Sequence, residues 1–162
     1  MTDHVAQVME QWRRERPDLD PSPQGVIGRL HRVAARLTDE LVAVYARHGL
    51  GEGEFDILAT LRRQGVPYSL TPGELAGQTM VTSGAITKRV DRCIAQGWVT
   101  RAPRESDGRG RLITLTAKGR RLIDAAFTEH LANEQRLLAT FDAAERDLLA
   151  GLLARWAGEL GL

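Results

Sequence analysis

A single cysteine, Cys93, is present in the 162 residues, which excludes an internal disulfide and any cysteine-rich metal cluster. Aromatic residues make up only 5% of the chain, and no apolar run approaches the roughly 18 residues of a membrane-spanning helix. The opening stretch MTDHVAQVMEQWRRERPDLD has no apolar signal-peptide core. Export is therefore not expected, and a reducing, cytoplasmic setting is the simplest reading. The four histidines, His4, His31, His48 and His130, are scattered without the spacing of metal ligands. There is no phosphate-cradling loop, no GxSxG elbow, no metal motif and no nucleophile set beside a base. These absences argue against an enzyme and imply no cofactor.

What remains is an ordinary globular composition, with 43% hydrophobic and 27% charged residues, in a length that suits one domain (1–162). The net charge of +1 conceals an uneven distribution. Residues 81–121 hold ten Lys/Arg against three Asp/Glu, a local +7, while the rest of the chain carries −6. A basic segment in an otherwise acidic molecule is a candidate polyanion surface, although most such clusters are solvated faces.

The hydrophobic periodicity is mostly helical. Val5, Val8, Met9 and Trp12 form one stripe over 3–14, stopped by the prolines of PDLDPSP. A long helix over 24–48 follows, with Ile27, Leu30, Val33, Leu37, Leu41 and Val44 on one face. A third helix over 51–63 buries Phe55, Leu58 and Leu61. Thr71-Pro72-Gly73-Glu74 supplies an N-cap hydroxyl, a proline at N1 and a glutamate at N3, opening a short helix to Gln78. After a turn, a helix from Thr82 or Ser83 to Gln96 puts Ile86, Val90, Cys93 and Ile94 on one face, with Thr87, Lys88 and Asp91 on the other. Two strands, 98–102 and 111–115, flank a glycine-containing loop in which Gly108 and Gly110 are expected to make the turn. Thr116 caps a long helix to about 140, and Asp142 with Glu145 opens the last one, with Leu148, Leu149, Leu152, Leu153 and Trp156 inward. The order is α-α-α-α-α-β-β-α-α, a mainly α fold with a small β-hairpin: a winged helix-turn-helix over 51–120 between terminal helices.

This order suits double-stranded DNA. The second helix of a helix-turn-helix enters the major groove, and small hydroxyl residues at its start let the backbone approach closely. Thr82 at the helix start is counted with the DNA-binding residues, Ser83, Thr87 and Lys88 are placed for base edges, and Lys88, Arg89 and Arg92 add positive charge. Arg109 and Arg111 on the hairpin suit phosphates or a minor groove. Two bland readings stand beside these: a core helix with a solvated face, and an exposed charged turn. A winged-helix module that binds an acidic protein is the alternative from another class.

The segment LTPGELAGQTMVTSGAITKRVDRCIAQGWVTRAPRESDGRGRLITLTAKGR, 70–120, resembles the MarR family of bacterial regulators. Asp107-Gly108-Arg109-Gly110 corresponds to the family's wing tip, with Gly108 in the place of a frequent arginine and Arg109 retained. The resemblance implies a homodimer held by helices 21–48 and 121–162, binding a pseudo-palindromic operator as a repressor. The apolar terminal helices favour a dimer on physical grounds too, although packing within one chain is the alternative.

The added N-terminal helix (1–20) further resembles the PecS and urate-responsive branch of that family. That likeness implies ligand-binding roles for Trp12, Asp56, Arg63 and Arg101, with urate as the leading small anionic or heterocyclic effector. Asp56 and Arg63 are seven residues apart and share a helix face; an indole, a carboxylate and guanidinium groups suit a planar anion. The alternative is a Trp12 that anchors its helix, with Asp56 and Arg63 in structural ion pairs and no small ligand at all. Cys93, on the apolar face, reads as a packed thiol more readily than as a redox sensor.

Overall fold

The computed structural model describes residues 3–79, 86–104 and 107–162, without side chains at 104 and 107–110. The chain divides into two compact units, Met1–Leu41 and Val42–Leu162.

In the first unit, α1 (His4–Glu15) is capped by Asp3, whose carboxylate accepts from the Val5 amide at 3.0 Å. Arg29 of α2 (Gln24–Arg47) also donates to Asp3. Val5 and Met9 are buried, Val5 over Gly28 and Met9 beside Gly25. Most of the apolar stripe expected on α2 is not buried: Ile27, Val33 and Leu37 are exposed, and of the stripe only Val44, which belongs to the second unit, is fully enclosed. A helical period names a face, and that face is buried only where another surface lies against it.

The second unit is built around α3 (Glu52–Arg63), whose Phe55, Ile57, Leu58 and Leu61 are all buried. Enclosing each such side chain stabilises the fold by about 1.5–3 kcal/mol. Tyr45 stacks on Phe55 with ring centroids 4.0 Å apart, and His130 closes the same cluster. Helix α4 (Pro72–Gln78) opens with the expected reciprocal cap between Thr71 and Glu74. Helix α5 (Ile86–Ala95) buries Ile86, Val90 and Cys93.

The sheet has three antiparallel strands in the order β1-β3-β2, one more than expected. The unexpected member, β1 (Ser69–Leu70), pairs with Thr114 and Ile113, and Ser69 Oγ lies 2.7 Å from Thr114 Oγ1. Two residues are too few to show alternation. Strand β2 (Val99–Arg104) pairs with β3 (Asp107–Leu115), the register shifting between Pro103 and Arg104. Residues 107–110, expected in the turn, therefore belong to β3.

Helix α6 (Ala117–Leu137) starts at Thr116 as expected, and α7 (Ala143–Glu159) at the Asp142–Glu145 box. The leucines of α7, expected to face inward, do not do so in the single chain. This helix buries no residue, Leu148 is 65% exposed, and Leu149, Leu152 and Leu153 are exposed as well. Among the described residues, no helix is long and apolar enough to cross a membrane.

Candidate nucleic-acid interface and effector residues

Helix α5 has the two faces that its spacing demands. Its apolar side lies against α3 and β2, while Thr87, Lys88, Asp91 and Arg92 are exposed on the other. Thr82 and Ser83, expected at its start, fall outside the described residues, as does the side chain of Arg109. Arg111 is exposed on β3. Thr87, Arg101 and Arg111 border one cavity of about 280 Å³, whose apolar wall includes Leu75, Ile86 and Val90. The outer face of the helix and the hairpin are thus presented side by side.

The basic residues of α5 are not equivalent. Arg92 is exposed, but its Nη1 lies 3.3 Å from Oε1 of the buried Glu54. The other carboxylate oxygen of Glu54 accepts from the Gly51 amide at 3.0 Å, closing the cap of α3. Glu54 therefore fastens two helices together, a role that spacing alone does not reveal. Arg89, expected to face DNA with its neighbours, is half-buried instead. Its side chain lies over Gly53, so closely that a Cβ there would come within 2.4 Å of Arg89 Cδ. Nη1 of Arg89 is buried with no hydrogen-bond partner among the described residues. Position 89 flanks the Ile86–Val90–Cys93 stripe, and this boundary location is the signal that separates it from Lys88 and Arg92.

Of the four residues implied for ligand binding, Trp12 belongs to the first unit and Asp56, Arg63 and Arg101 to the second. Trp12 is 47% exposed on α1, in the first unit. Asp56 is buried and accepts from Thr60 Oγ1 at 3.4 Å. Arg63 is exposed, donates to the Gln78 carbonyl and borders a cavity of about 530 Å³ floored by Ala59, Ile123 and Phe127. Arg101 donates to Asp91 at 2.8 Å. Asp56 and Arg63 lie along one helix as their spacing requires, yet one end of that line is enclosed and the other is open.

Cys93 is fully buried, and burial pushes its thiol up to about 12. Thiolate chemistry near neutral pH is correspondingly suppressed.

The MarR family model matches residues 48–110. The transcriptional regulator PecS of Dickeya dadantii is 42% identical over 151 residues, which is 93% of this chain and 91% of PecS. The chain belongs to the MarR family. A cysteine-to-serine mutant of Escherichia coli MarR, solved in complex with operator DNA, aligns at TM-score 0.70 and 26% identity, covering 89% of this chain and 96% of that one. Bordetella bronchiseptica BpsR, whose DNA binding is regulated by 6-hydroxynicotinic acid, shares the fold at TM-score 0.72 and 22% identity, covering 82% and 92%. This MarR-family chain is a transcriptional regulator with a winged helix, not an enzyme.

Proposed function

We propose that this MarR-family protein is a repressor that binds a pseudo-palindromic operator as a homodimer and is released by a small anionic or heterocyclic effector. The exposed Thr87–Lys88 face of α5 beside Arg111 carries the DNA part of this reading. Thr82, Ser83, Thr87 and Lys88 read base edges, while Arg92, Arg109 and Arg111 hold phosphates. The exposed leucines of α7 support a second copy as the missing cover. A labelled duplex selected from a random-sequence pool tests the DNA reading. With some six phosphate contacts per subunit, affinity should fall roughly 10³-fold or more between about 50 and 200 mM salt. A flat salt response defeats it.

Trp12, Asp56, Arg63 and Arg101 bind the effector, with urate as the leading ligand, and Arg89 acts with them rather than on DNA. A buried guanidinium nitrogen without a partner among the described residues is costly and offers a donor to an anion. The regulation of BpsR by 6-hydroxynicotinic acid supports a planar heterocyclic anion as the effector class. Urate and 6-hydroxynicotinate titrated into the protein–duplex complex should lower its anisotropy. Arg89→Met and Asp56→Asn should abolish that release, with DNA affinity kept within about threefold if neither side chain touches DNA. Release equal to wild type in both variants removes them from the effector site.

A further inference from the structure

Helix α5 ends in a tightly specified way. Gly97 has φ +69°, and the amides of Gly97 and Trp98 return to the carbonyls of Ile94 and Cys93 at 2.8 and 2.9 Å, the paired bonds of a Schellman stop. The next carbonyls along the chain are taken up by the start of α6. Lys118 Nζ donates to the Gln96 carbonyl at 2.7 Å. The Thr116 hydroxyl shares its proton between the carbonyls of Gly97 and Trp98, at 2.9 and 3.0 Å, while accepting from the Gly119 amide at 3.0 Å. One hydroxyl therefore caps α6 and holds the exit of α5. Gly119 makes this approach feasible: a Cβ there would lie 2.1 Å from the Trp98 carbonyl oxygen, a backbone atom with little freedom to retreat. An ammonium at the carbonyl end of a helix also complements its dipole.

Farther along α6, Asp124 accepts from Arg62 Nε of α3 at 2.7 Å. The first two turns of α6 thus grip both α5 and α3. We infer that Lys118, with Thr116, is a positioning residue for α5: the start of α6 fixes the last turn of the DNA-reading helix, so that the two helices move as one body. The inference rests on the reading of α5 as that helix. Lys118 is exposed and basic, and on charge alone it would be counted as a phosphate contact. Its ammonium instead points at a carbonyl of its own chain.

The test uses the full-length protein, a duplex selected from a random pool and a scrambled duplex, each measured across a salt series. Lys118→Met should weaken the selected duplex about three- to tenfold, leave the scrambled one nearly unchanged and keep the salt slope. Lys118→Arg should restore most of the loss. Hydrogen exchange supplies a readout independent of DNA: the amides of Gln96, Gly97 and Trp98 should exchange about tenfold faster in Lys118→Met. Equal weakening of both duplexes with a slope reduced by about one per subunit overturns the inference in favour of a phosphate contact. Unchanged exchange at the end of α5 overturns it as well. A wild type that binds neither duplex defeats the DNA reading, while the exchange result still decides whether Lys118 braces the helix.

Discussion

Arg101 Nη2 on β2 lies 2.8 Å from the Asp91 carboxylate on α5, tying the root of the wing to the helix beside it. Both side chains are partly exposed, so the pair contributes modestly to stability. Its larger effect is on charge, because Asp91 neutralises one guanidinium at a cavity that Arg111 also borders.

Asp91→Asn should therefore cost at most about 1 kcal/mol in urea denaturation. With Arg101 freed and a carboxylate removed from an exposed face, DNA affinity at low salt should rise and its salt dependence steepen by up to about one contact per subunit. A weaker affinity at unchanged slope identifies the pair as a geometric brace instead.

Alkaline pH should destabilise the fold. Burial raises the Cys93 thiol from 9.0 and the Tyr45 hydroxyl from 10.0, each to about 12. Both folded values lie above the unfolded ones, so the stabilisation is fully present below about pH 9 and is lost as pH rises towards 12. Urea midpoints measured from pH 8 to 11 should decline, and Tyr45→Phe should flatten part of that decline. Iodoacetamide at pH 8 should leave folded Cys93 unlabelled and react once urea unfolds the chain; rapid labelling of the folded protein contradicts its enclosure.

Leu149→Glu combined with Leu152→Glu places charge on the apolar side of α7, where both leucines are exposed in the single chain. Sedimentation should show the wild type as a dimer and the double variant as a monomer with helical circular dichroism retained. Affinity for a two-half-site duplex should drop at least about tenfold, since the two half-sites are no longer linked. A monomeric wild type defeats the dimer.

The local devices were legible before the fold was known. Thr71 with Glu74, Asp142 with Glu145, and Thr116 ahead of its helix are contacts spanning three residues, so short-range spacing contains all that they need. The two faces of α5 were legible for the same reason, because a period of 3.6 assigns each position to a side. The period names a face without naming what lies opposite. Charge grouped Arg89 with Lys88 and Arg92 although its position borders the apolar stripe, the period made the leucines of α7 inward, and neither had anything to say about β1.

By itself, then, the sequence determined the helices, their caps, the amphipathic face of α5 and the absence of catalytic motifs, all set by residues within a turn or two of one another. Only the tertiary structure decided partners. It turned Arg89 onto Gly53, gave Arg92 to Glu54 and Arg101 to Asp91, and brought Lys118 to the Gln96 carbonyl 22 residues away. A long cationic side chain has many acceptors within reach of its flexible stem. Which one it takes depends on the elements that packing brings beside it.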